Sequence, residues 1–204
     1  MYLGFTRYWE VVAERYKDIN FTRLRAGPCL GKESDYMKDD DSSPLCNQQS
    51  FKSKVMYAMY GACNFQWVTL SYVIYLSTVT APTQQHMAKI DHLLAWCYQE
   101  RDIVKVINPK DTKISLFADA SFGLLPDGGS LGAYIVCMGG CPIYAKGFRV
   151  CPLPTSSTEG EYTTLTEAAR MAEYCRNFMN EIAIPQQCPT VIQQDNKSAN
   201  VMHM

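Results

Sequence analysis

The hydrophobic period of the chain changes at Lys113, and this switch constrains the fold more than any other feature. Downstream, apolar residues alternate with a period of two through KISLFADAS (113–121), LGAYIVCMGG (131–140) and CPIYAKGFRV (141–150), with Gly and Pro signals between the runs. Three sequential strands are expected. Gly139-Gly140 is a tight-turn signal, so hairpins and an antiparallel meander follow. In PTSSTE (154–159), Ser156 and Glu159 have capping-box spacing and announce a long helix to about Ile182. A short strand, TVIQQD (190–195), then leads into a helix-like start, NKSANVMHM. The expected class is α/β: a mixed sheet with a long helix, preceded by a helical region.

Upstream of the switch the spacing is helical. Tyr8, Val12 and Tyr16 lie four apart in TRYWEVVAERY (6–16), an amphipathic pattern broken by Ala26-Gly27-Pro28. Residues 31–50, with three consecutive Asp and few apolar residues, have the composition of a solvated loop or linker. No charge occurs between Lys54 and Lys89, and Val55–Leu76 is long and apolar enough to span a bilayer. Asn64, Gln66, Thr69 and Ser71 interrupt it, and its tyrosines are spread along it instead of belted at the ends, so a buried helical pair is the preferred reading over a membrane span. Thr83 is an N-cap candidate for a further helix whose face is His86, Ile90, Leu93, Leu94 and Cys97, with Asn108-Pro109 as its expected end. The resulting divisions are 1–30, 31–50, 51–110 and 111–204.

The chain has 204 residues, enough for one large domain or two small ones, and its net charge of −1 lacks the whole-protein basic footprint of many nucleic-acid binders. That balance is silent about a local patch. The nine cysteines include no CxxC pair and no zinc-ligand spacing, and no signal segment opens the chain. They read as reduced thiols, mostly core residues, in an intracellular setting, cytoplasmic or nuclear.

The candidate chemistry comes from three acids. Leu165, Ala168, Ala172, Cys175, Met179 and Ile182 define the stripe by which the long helix must pack on the sheet, and one step back of four residues lands on Glu161. A carboxylate on a core-facing stripe needs a cation, a hydrogen-bond network or water. Asp119 stands near the end of the first strand, in alternation with Ser115 and Phe117, and Asp195 closes the last strand beyond Val191 and Gln193. Three acids at the ends of elements that meet in one layer would suit Mg²⁺ or Mn²⁺, and two such ions would clamp a phosphodiester. The bland alternatives are strand-end aspartates and a glutamate that complements the helix dipole. Glu159 and Asp127 are competitors, the first at the capping position and the second in a PDGG turn.

The order LFADASFG (116–123), SLGAYIVCMGGCPIYAKGF (130–148), SSTEGEYTTLTEAARMAEY (156–174) and PTVIQQDNKSA (189–199) resembles the ribonuclease H domain of copia-type LTR retrotransposon polyproteins. RYWEVVAERYKDINF (7–21) is similar to the short helix after the reverse transcriptase palm, and VMYAMYGACNFQW through APTQQHMAKIDHLLAWCYQ to the stretch leading into the nuclease. The resemblance implies the end of the palm and thumb in 1–30, an acidic loop in 31–50, a helical connection in 51–110, and a ribonuclease H-like domain, incomplete at its C-terminus, in 111–204. It implies that Asp119, Glu161 and Asp195 hold two Mg²⁺ ions, with Mn²⁺ able to substitute, and hydrolyse the RNA strand of RNA–DNA hybrids. Lys146 and Arg149 fall where the family carries basic residues and are candidate phosphate contacts. The implied partners are the hybrid and the remainder of a reverse transcriptase polyprotein, with no membrane.

The chain departs from that pattern. Gly128-Gly129 replaces a basic run, Phe65–Thr69 replaces a Thr-Arg-Pro-Asp segment, and the family's fourth acidic ligand, fifth strand and final helix are expected beyond Met204. Tyr36-Met37-Lys38-Asp39-Asp40 has an inserted lysine where a polymerase motif would need Tyr-x-Asp-Asp, and it reads as a coincidence. The alternatives to a nuclease are a catalytically inert retroelement remnant or nucleic-acid-binding module, and a small membrane protein spanning 55–76.

Overall fold

The structure is a computed structural model that describes residues 2–22, 43–108, 110–125 and 127–195. The Ala26–Pro28 break, most of the acidic loop, the Tyr36–Asp40 segment, Cys29, Pro109 and the helix-like start after Asp195 lie outside the described residues. Two compact units are present: Leu3–Val104 is one, and Lys105 onward with Tyr2 is the other. Five α-helices and a mixed four-stranded sheet make up the described chain, together with two three-residue strands, β1 (Tyr2–Gly4) and β2 (Val104–Val106).

The first unit is helical. Helix α1 (Thr6–Arg15) buries Trp9 and Val12, α2 (Gln48–Asn64) begins at the Asn47 cap, and α3 (Leu70–Thr78) follows a single 3₁₀ turn at Trp67–Thr69. The long uncharged run forms two helices as expected, but only α3 is mostly buried, since α2 exposes Met56 and Tyr60; among the described residues no helix is long and apolar enough to cross a membrane. Its interrupting polar residues have specific work. Gln66 Nε2 donates to the carbonyls of Cys97 (2.9 Å) and Glu100 (3.3 Å), and Thr69 Oγ1 donates to the Gln66 carbonyl. Those two acceptors belong to the end of α4 (Gln84–Gln99), where helix carbonyls lack intrahelical donors. Thr83 caps α4 as expected, and all five residues of its expected face are buried. The helix ends about nine residues before Asn108, because Gln99 to Asp102 interrupt the apolar stripe and Gln66 satisfies the terminal carbonyls.

Lys54, at the edge of the uncharged run, is buried. Its Nζ donates to Asp91 (2.7 Å) and Asp18 (3.2 Å) and lies over the Tyr16 ring, which joins α2, α4 and the segment after α1. Gly61 of α2 lies against the indole of Trp9, where any Cβ would overlap the ring.

The second unit carries the sheet. Strands β3 (Ile114–Ser121), β4 (Leu131–Met138), β5 (Cys141–Arg149) and β6 (Val191–Gln193) lie in the order β5-β4-β3-β6. The β3–β4 and β4–β5 pairs are antiparallel, as the meander requires, and β6 is parallel to β3. Gly139 and Gly140 both take positive φ at the β4–β5 turn. Between β5 and β6 runs α5 (Ser157–Glu181), capped by Ser156 and ended at Ile182. Its stripe packs as the spacing predicts: Ala168, Ala172, Cys175 and Met179 meet Ile114, Leu116, Ala118, Tyr134 and Val136. Ile182 is the exception, at 48% exposure, because the helix ends there and Ala183 turns the chain with φ 61°.

Eight cysteines are described and all are free thiols. Only Cys97, Cys137 and Cys175 are buried, fewer than the core reading expects, and Cys151 and Cys188 are exposed. Burial pushes the thiols of all three upward.

Candidate functional site

The period of two in β3 decides where Asp119 goes. Ile114, Leu116 and Ala118 face α5, so Ser115, Phe117 and Asp119 face the other way. Phe117 is in register with Gln193 of β6. Two residues beyond that pair stand Asp119, still on β3, and Asp195, just past the end of β6. Both line one open cleft, with Phe117, Ala133, Ile135, Gln193 and Gln194 among its other lining residues. Both are exposed, and among the described residues neither carboxylate takes part in a hydrogen bond or ion pair. Solvated carboxylates are hard oxygen donors of the type that divalent ions such as Mg²⁺ take as ligands.

Glu161 stands elsewhere. It occupies the head of the α5 stripe and is buried, at 8% exposure, on the helix-covered side of the sheet. Gln194 shares parity with Ile192, which packs against the core under α5, and its Nε2 donates to Glu161 Oε2 at 3.0 Å. The structure therefore brings Asp119 and Asp195 together and keeps Glu161 on the far side, tied to the residue that precedes Asp195. Among the described residues, no three His, Cys, Asp or Glu side chains converge closely enough to hold a metal ion.

The two basic candidates are engaged. Arg149 Nη2 lies 2.8 Å from Asp127 Oδ2, and Lys146 Nζ lies 3.6 Å from Glu167 and over the rings of Tyr134 and Phe148. Lys146 thus faces α5, away from the cleft. Asp127 also accepts from the Gly129 amide (3.0 Å), and that bond, then Arg149, holds its carboxyl below the usual range. Glu159 accepts from the amide (2.7 Å) and hydroxyl (2.8 Å) of Thr155, which lower its pKa in that order. Both competitors are turn and cap residues. Glu159 reaches back to Thr155, one residue before the cap, while Ser156 Oγ accepts from the Glu159 amide.

Three residues that the sequence reading did not single out hold β6 in place. Gln186 acts as a strand surrogate, accepting from the Ile114 amide (2.9 Å) and donating to the Thr112 carbonyl (2.9 Å). Arg176 of α5 donates to the carbonyls of Cys188 (2.7 Å) and Gln186 (3.0 Å) and to Thr190 Oγ1 (3.1 Å). Gln194 is the third. The only signal available for it was alternation, which places it on the helix side between two residues of the open side. No known family model, curated protein or solved structure matches this chain.

Proposed function

We propose that the chain is a ribonuclease H-like nuclease that hydrolyses the RNA strand of RNA–DNA hybrids with divalent metal ions, Mg²⁺ or Mn²⁺. The observation that carries this reading is that Asp119, on β3, and Asp195, two residues past the end of the parallel strand β6, line one open cleft. An antiparallel meander, a long helix and a fourth strand parallel to the first are in keeping with the mixed sheet that the copia-type resemblance implies. Asp119 and Asp195 would hold a metal ion directly. Glu161, the third acid of the resemblance, reaches this pair through Gln194, the neighbour of Asp195. Bound ions would supply Lewis-acid polarisation of a phosphate and an activated water. The helical unit, on the same resemblance, is the thumb and connection of a reverse transcriptase.

Purified chain with Mg²⁺ should cut the RNA of a labelled hybrid, and Asp119→Asn should abolish the cleavage. Cleavage that survives the substitution overturns the assignment. The pairing of Arg149 with Asp127 and of Lys146 with Glu167 favours a second reading, an inert remnant without phosphate-binding surface. That reading expects no cleavage from the unaltered chain.

A further inference from the structure

Glu161 poses a physical problem: it is buried, it belongs to the first turns of a 25-residue helix, and its one hydrogen-bond donor among the described residues is the side chain of Gln194. The amide of Gln194 meets one of its oxygens. Across the sheet, Asp195 depends on the same short segment. Strand β6 has three residues, pairs with β3 over only Ser115–Phe117, and is an edge. Arg176 holds the chain before the strand, and the Gln194–Glu161 contact holds it after.

We infer that Glu161 is a positioning residue in this chain, which acts through Gln194 to keep Asp195 in one cleft with Asp119, and is not itself a metal ligand. This inference rests on the proposed metal site at the aspartate pair. Successive residues of an extended chain point to opposite faces, so anchoring Gln194 on the helix side fixes Asp195 on the open side. Releasing Gln194 lets the end of β6 rotate or fray, and the affinity of the site for a cation falls with the fraction of molecules in which the two aspartates still line one cleft.

The hydrogen bond, and not the charge, is what this role requires, so the conservative variant separates it from ligation. In Glu161→Gln the new amide oxygen still accepts from Gln194. Mn²⁺ binding to the full chain, followed by electron paramagnetic resonance, should stay within about threefold of the unaltered protein. In Glu161→Ala and in Gln194→Ala it should weaken about tenfold, equivalent to ~1.4 kcal/mol, and the double variant should weaken no further. Gln194→Met keeps the volume without the donor and should match Gln194→Ala, which guards against a general packing defect. Amide exchange of Val191–Gln193 should accelerate in the same variants.

Loss of Mn²⁺ binding in Glu161→Gln, equal to the loss in Asp119→Asn, would make Glu161 a ligand and overturn the inference while leaving the nuclease reading intact. Unchanged binding in Gln194→Met also overturns it. Absence of Mn²⁺ binding by the unaltered chain overturns both together.

Discussion

Gly132→Ala tests how closely α5 must approach the sheet for Glu161 to reach Gln194. Gly132 lies on β4 facing the helix, and a Cβ there would overlap Oγ1 of Thr164 and come within 3.0 Å of the Phe148 ring. The ring is partly buried and has room to shift. Thr164 does not, because it is fully buried and its hydroxyl donates to the Gly160 carbonyl at 2.9 Å. The added methyl therefore either pushes out the first half of α5 or breaks that hydrogen bond. Overpacking of this kind costs ~1–3 kcal/mol, and a lost buried hydrogen bond adds ~1 kcal/mol, so the expected destabilisation is ~2–4 kcal/mol. A domain of this size has ~5–15 kcal/mol in total, so the variant should still fold.

Urea unfolding followed by circular dichroism measures the change, and at ~2 kcal/mol per molar the midpoint should fall by ~1–2 M. The cause is then isolated by a second substitution. Thr164→Ala removes the obstructing oxygen and its donor together, so Gly132→Ala in that background should cost ~1 kcal/mol or less beyond Thr164→Ala alone. An undiminished cost in the Thr164→Ala background, or a shift below ~0.5 kcal/mol in the single variant, would refute the reasoning.

Two further outcomes follow from contacts around the same unit. Arg176→Met removes three hydrogen bonds to the α5–β6 connection and should raise amide exchange at Val191–Gln193 about tenfold, with β4 unaffected; uniform acceleration across the sheet would show that Arg176 stabilises the whole unit instead. The Glu159 carboxyl, followed by NMR, should titrate below the ordinary value of 4.5 because the folded state donates two hydrogen bonds from Thr155. Its folded pKa is depressed, so the stability it contributes is present above the unfolded value and is lost as the pH falls through the folded one. Thr155→Ala should move the midpoint part of the way back, since the backbone donor remains; no movement would deny the hydroxyl a role.

Local rules made much of the second unit legible. The alternation from Lys113, the Gly139-Gly140 turn and the Ser156 cap act within a few residues, so the β3–β5 meander and the start of α5 follow from them. The α5 stripe pointed correctly to a buried Glu161 for the same reason: a period of 3.6 states which residues share a face. The end of α4 was misplaced because its last carbonyls are capped by Gln66, a residue more than thirty positions away that no local pattern connects to it.

The site divides along the same line. Sequence alone determined that Asp119 and Asp195 point away from the side chains that precede them, since strand alternation is local, and that Glu161 lies on the core stripe. Which face of the sheet α5 covers, and therefore which acids share a cleft, depends on the parallel pairing of β6 with β3 across more than seventy residues. That pairing brings the end of β6 to β3, so that Asp119 and Asp195 line one cleft while Glu161, buried in α5, meets Gln194. Likewise Lys54 opens an uncharged run in sequence and becomes a buried cation only because Asp18 and Asp91 are brought to it. Periodicity determined the direction of each side chain, and only the packing of elements distant in sequence decided what each would meet.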